Sequence, residues 1–174
     1  MSFRQIPFGT IDAFNVVVET PPGSQIKYEY DEHLDNMKLD WIFKEGFSFP
    51  HNYGYIPETR GGDGDHLDVF VLTNQAISMG TVVACRAIGM IELLDRGEED
   101  NKILAVPLVD PVWGAYKELA DLPFAYQDFF KVFFAGLAAQ KKKTIEIVGY
   151  GDLARVQTEL KTANERFLEE QGKK

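Results

Sequence analysis

Residues 61–72 read Gly61-Gly62-Asp63-Gly64-Asp65-His66-Leu67-Asp68-Val69-Phe70-Val71-Leu72. The glycines and alternating aspartates cannot continue a strand, so the first half is a loop. The apolar run Val69 to Leu72 then predicts a buried strand. The same reading extends in both directions. Phe14 to Glu19, Ile26 to Tyr30, Thr81 to Ile91 and Ile103 to Val106 are further strands of β-branched and aromatic residues. Beyond Pro111 the pattern turns helical, with Asp121-Leu122-Pro123 opening a helix that runs to Leu137. Thr144 to Val148 forms a short strand, and Asp152 caps a last helix with Leu153, Val156, Leu160, Ala163 and Phe167 at helical spacing. Strands first and helices later predict an α+β fold. No repeat or linker divides the chain, so residues 1–174 are read as a single domain.

Composition narrows the function classes. The 174 residues carry 18 Lys and Arg against 27 Asp and Glu, a net charge of −9 at pH 7. Binding to nucleic acid or to anionic membranes needs a basic face, so neither partner is expected. A protein this acidic that handles phosphate must import cations. The one cysteine, Cys85, follows Val82-Val83-Ala84 and reads as a small buried hydrophobe. Without a possible intrachain disulfide, a reducing, cytoplasmic location is expected. Met1 to Pro7 has no apolar run of signal-peptide length, and the uncharged stretch Val69 to Cys85 is broken by Thr73-Asn74-Gln75, Ser78 and Gly80.

Four segments carry chemistry. Asp63, Asp65 and Asp68 crowd three carboxylates into six residues, which is costly unless cations sit between them. Oxygen-only ligands suit hard divalent ions such as Mg²⁺, Mn²⁺ or Ca²⁺, not zinc. A solvated Asp/Gly turn has the same sequence. A second acidic cluster, Glu92, Asp95, Glu98, Glu99 and Asp100, reads as a loop ahead of Lys102, either an ordinary charged hairpin tip or, with Asp95 and Asp100 flanking a turn and facing the first cluster, part of a multi-metal site. Lys27 and Glu29 share one face of their strand, pointing inward to a ligand or outward as a surface ion pair. Pro50-His51-Asn52-Tyr53-Gly54-Tyr55-Ile56-Pro57 reads as a pinned aromatic turn that presents the Tyr53 hydroxyl. His51 and His66 lie beside these motifs with no role assigned. The run Lys141-Lys142-Lys143 reads as a solvated helix end favoured by the helix dipole.

Taken in order, Glu19, Ile26-Lys27-Tyr28-Glu29, Asn52 to Pro57, Asp63-Gly64-Asp65-x-x-Asp68-Val69 and Asp95-x4-Asp100-x-Lys102 resemble the soluble family I inorganic pyrophosphatases. The resemblance implies a five-stranded, oligonucleotide-binding-type β-barrel with flanking helices and a Mg²⁺-dependent hydrolysis of pyrophosphate to two phosphates, with Mn²⁺ as a substitute ion. It implies Asp63, Asp68 and Asp100 as ligands of two Mg²⁺ that share and acidify a water, and Asp95 with Asp100 as ligands of a further ion. Glu19 and Glu29 would reach metal through water. Asp65 would orient or deprotonate the nucleophile, and Lys27, Tyr53 and Lys102 would bind phosphoryl oxygens. The chain length resembles the hexameric bacterial branch, so a homo-oligomer is expected.

Three positions depart from that family. Its leaving-phosphate arginine is Trp41 here, and its Tyr-Lys pair is Leu137-Ala138. Lys44 and Lys141 to Lys143 are candidate replacements. His66 replaces a usual proline. These departures keep a second reading open, a divergent phosphoanhydride hydrolase of the same fold acting on another small diphosphate, or a weakly active paralogue.

Overall fold

The computed structural model describes residues 2–123 and 125–172. Its strands are β1 (Gly9–Thr10), β2 (Ala13–Thr20), β3 (Ile26–Asp31), β4 (Asn36–Ile42), β5 (Asn52–Ile56), β6 (Leu67–Val71), β7 (Val82–Asp95), β8 (Glu98–Glu99), β9 (Lys102–Pro107) and β10 (Ile145–Gly151). The helices are α1 (Ala125–Lys141) and α2 (Leu153–Gly172). Strands β2, β5, β6, β9 and β7 pair in that order, and β7 returns to β2, closing the expected five-stranded barrel. All of these pairings are antiparallel except β6 with β9. The β3–β4 hairpin forms a separate two-stranded sheet.

The continuous apolar runs follow from cover on both faces of the strands. Val69, Val71, Ile103 and Ala105 pack in one cluster with Val156, Leu160 and Ala163 of α2. Their alternates Phe70, Leu104 and Val106 pack in another with Phe130, Phe133 and Phe134 of α1. Period-2 geometry thus sorts each strand between two helices. Asp152 caps α2 as predicted, its Oδ1 accepting the Arg155 amide at 3.0 Å. Cys85 is fully buried.

Four elements differ from the sequence reading. Residues 52–56 are a strand with every residue buried, not a turn. Gly54 makes that possible: a Cβ there would overlap the Val17 carbonyl oxygen and come within 3.0 Å of Val18 Cα. Glu92 and Asp95 of the second acidic cluster lie in β7 and not in a loop, while the cluster as a whole is the charged hairpin tip its sequence allowed: β7 runs to Asp95 and reverses at Arg96 and Gly97 into β8. Both turn residues have positive φ, 53° and 90°, the signature of a tight type I′ hairpin. Strand β4 is new, and α1 starts at Ala125 after a 3-10 turn over Leu119–Asp121.

Candidate active site

The parallel seam delivers the first charged pair. Asp68 and Lys102 are register partners across β6 and β9, and two-residue alternation brings Asp100 to the side of Lys102. The Lys102 ammonium donates to both carboxylates. Burial favours its neutral form, but Asp68 and Asp100 outweigh it and hold the lysine well above its usual range. Tyr53 lies opposite Phe70 in the β5–β6 register, is buried, and bonds through its hydroxyl to Asp68. Burial and then Asp68 push its phenol well above the ordinary value.

Glu19 stands near the end of β2, 4% exposed, and its Oε1 accepts the Tyr30 amide at 2.7 Å. Burial first and Asp68 second push its carboxyl up to about 8. Asp63 and Asp65 stand on the loop before β6. Asp63 Oδ1 accepts the Asp65 amide at 3.1 Å, and Gly64, at φ +91°, permits the reversal between them. Burial, then Asp63 and Asp68, raise the Asp65 carboxyl above its usual range. Asp95 pairs with Lys143 through one oxygen. Its other oxygen, Oδ1, is buried without a hydrogen-bond partner, with the Arg96 guanidinium 3.5 Å away. On β3, Lys27 pairs with Glu29 and reaches Asp40 Oδ2 at 3.4 Å.

All ten residues singled out in the sequence line one cavity of about 630 Å³. His66 lines it too, but as a joint: its Nε2 lies 2.7 Å from Glu32 Oε1 and its Nδ1 2.9 Å from the Thr59 carbonyl. His51 is elsewhere, among the rings of Trp113, Tyr126 and Phe130. A second cavity, about 280 Å³, is lined by Leu122, Tyr126 and Phe130 with no charged group.

Sequence reasoning passed over Asp40, which holds Lys27 and also takes Lys141 Nζ at 3.1 Å. A signal was present: Asn36, Lys38 and Asp40 alternate with Met37, Leu39 and Trp41, the pattern of a half-exposed strand. Lys141 and Lys143 line the cavity, so the lysine run is not merely a solvated helix end. Lys44 is not in the cavity lining, and its amide donates to Gln140 Oε1.

The donor set fits hard divalent cations. It is made of carboxylate oxygens, one of them the unpartnered Asp95 Oδ1. Among the described residues, no three His, Cys, Asp or Glu side chains stand close enough to hold one ion together. The Lys102 ammonium lies between Asp68 and Asp100 instead. A divalent ion on those two carboxylates therefore competes with Lys102.

The fold agrees with known proteins. The family described as inorganic pyrophosphatase matches residues 16–168. The crystal structure of the inorganic pyrophosphatase from Thermus thermophilus has the same fold, with a TM-score of 0.89, 29% identity and coverage of 97% of this chain and 99% of that one. The Saccharolobus solfataricus inorganic pyrophosphatase is 42% identical over 158 residues, 89% of this chain and 92% of its own. The Thermoplasma volcanium inorganic pyrophosphatase is 46% identical over 125 residues, 71% of this chain and 74% of its own. The chain belongs to the inorganic pyrophosphatase family.

Proposed function

We propose that this protein hydrolyses inorganic pyrophosphate to two phosphates, with Mg²⁺ as its ion and Mn²⁺ as a substitute. The observation that carries the reading is the gathering of all ten motif residues around one cavity. Asp63, Asp68, Asp95 and Asp100 would hold the ions, with Glu19 and Glu29 behind them. Divalent cations supply charge neutralisation for the substrate and acidify water at neutral pH. Asp65 takes the proton of the attacking water, and its raised carboxyl pKa suits a base. Lys27, Lys102 and the Tyr53 hydroxyl donate to phosphoryl oxygens and stabilise the charge that develops there. The exposed apolar residues Leu108, Val109 and Val112 favour a homo-oligomer, a hexamer by family resemblance. The free, buried Cys85 suits the cytoplasm.

A second reading, another small diphosphate as substrate, is favoured by Trp41, Leu137 and Ala138 in place of donors. The test is phosphate release from pyrophosphate with and without Mg²⁺. Mg²⁺-dependent release that drops about a hundredfold or more in Asp65→Ala supports the reading. Background release from folded protein in both Mg²⁺ and Mn²⁺ rejects pyrophosphate and moves the assay to other diphosphates.

A further inference from the structure

The cavity proposed to bind an anion is itself anionic: among the described residues, twelve carboxylates and seven Lys and Arg side chains line it. The aspartate wall, formed by β6, β9 and the loop before β6, is where divalent cations offset that excess. Pyrophosphate has two phosphoryl groups, and the one farther from the aspartates needs cations from the protein itself.

Another part of the lining, at the end of α1, supplies them. The helix stops at Lys141, Lys142 takes φ +50°, and the Lys143 amide donates to the Ala138 carbonyl at 3.1 Å. This is the Schellman termination, whose left-handed position favours glycine. Lys141, the last helical residue, and Lys143, beyond the reversal, both line the cavity, while Lys142 is exposed. Lys141 and Lys27 then meet at a single oxygen, Asp40 Oδ2, at 3.1 and 3.4 Å. The Trp41 ring lies 5.4 Å from the Lys141 ammonium and shields it, while Leu137 lines the same wall without a polar group.

The other partners of these lysines are Glu29, on Lys27, and Asp95, on Lys143. Both are carboxylates assigned above to divalent cations. Once they serve that purpose, Lys27 and Lys141 keep only Asp40, Lys143 loses its pairing with Asp95, and this part of the lining is cationic.

We infer that Lys141 and Lys143 form the anion-binding wall that receives the phosphoryl group farther from the aspartates, with Asp40 positioning Lys141 and Lys27. The inference rests on the pyrophosphate reading. Burial, and then the neighbouring Lys27 and Lys143 charges, already lower the Lys141 pKa despite Asp40, so an arriving anion relieves a repulsion.

The test compares Lys141→Met, Lys143→Met and their double variant with Lys142→Gly, which removes the same charge at the exposed position. Two readouts are taken in Mg²⁺: the KM for pyrophosphate and the Kd for inorganic phosphate by calorimetry. Lys141→Met raises both by about ten- to a hundredfold, the loss expected for one charge-assisted hydrogen bond. Lys141→Arg recovers part of the loss, and Lys142→Gly matches wild type. A folded double variant whose phosphate Kd stays within about twofold of wild type overturns the inference. Wild-type protein inert toward pyrophosphate overturns the functional reading, while the phosphate calorimetry still decides the wall.

Discussion

Glu19 Oε1 accepts the backbone N–H of Tyr30 at 2.7 Å, so a carboxyl from the barrel clamps the β3–β4 hairpin over the cavity. The same carboxyl is buried and faces Asp68, which raises its folded-state pKa from 4.5 to about 8. The folded protein keeps this proton where the unfolded chain has lost it. Metal-free stability therefore falls as pH rises from about 4.5 to 8, by up to about 1.4 kcal/mol per pH unit, and levels off above. Glu19→Gln keeps an acceptor for Tyr30 and has no charge to lose. Urea unfolding in chelator at pH 5, 6.5 and 8 is expected to show the fall in wild type and a flatter profile in the variant. Superimposable profiles would rule Glu19 out as the source.

Lys102 is the internal rival of any ion on Asp68 and Asp100. Lys102→Met leaves the two carboxylates facing each other, which costs the metal-free protein about 3–5 kcal/mol. It also removes the competitor. Thermal melts across a Mg²⁺ titration should show a lower starting Tm and a larger Mg²⁺-induced rise than in wild type. Pyrophosphate hydrolysis should drop at least about tenfold, because a phosphoryl donor is gone. An equal Mg²⁺-induced rise in both proteins would sink the competition argument.

Gly54 is a packing requirement, not a hinge. Gly54→Ala drives a methyl group into the Val17 backbone between two paired strands, neither of which has room to retreat. The expected destabilisation is at least about 3 kcal/mol, read as a lower urea midpoint with an unchanged slope. A midpoint near that of wild type would mean that β2 and β5 can separate.

His51 responds to acid in the opposite sense to Glu19. Burial among aromatic rings lowers its pKa from 6.5 to about 4. The unfolded chain gains a proton that the folded protein refuses. Stability is full above pH 6.5 and declines between 6.5 and 4, by up to about 1.4 kcal/mol per pH unit. His51→Phe fits the same aromatic surroundings and is expected to resist acid over that window. If the acid midpoints of the two proteins coincide, His51 is not the weak point.

Most of the barrel was legible because its strands are β-branched runs punctuated by turns that only Gly, Pro and Asp accommodate. Asn52 to Ile56 reads as a turn from its sequence because Gly54 and the flanking Pro50 and Pro57 are turn residues elsewhere. Here Gly54 marks a close backbone approach, which depends on a strand 36 residues earlier. The ten motif residues were found because charge crowded beside apolar strands is costly without a ligand. Asp40, Lys141 and Lys143 were harder to place. Asp40 is the extra, unpaired residue where the hairpin register shifts between Lys27 and Tyr28, so the alternation of its strand does not fix which way it faces. The direction of Lys143 is set by one left-handed residue, Lys142, that no local pattern announces, and that of Lys141 by where the helix ends.

The parallel pairing of β6 with β9 has a consequence for how the protein matures. Hairpins such as β3–β4 form early from neighbours, but Asp68 and Lys102 are 34 residues apart and meet only across that seam. The β2–β7 pairing that closes the ring joins residues farther apart still, Phe14 and Cys85, so the cavity is complete only once both non-local pairings have formed. During synthesis on the ribosome, Asp63, Asp65 and Asp68 emerge well ahead of Asp100 and Lys102, and they wait as an isolated acidic turn. In a refolding experiment, ion uptake is therefore expected to follow these long-range pairings and not the early hairpins.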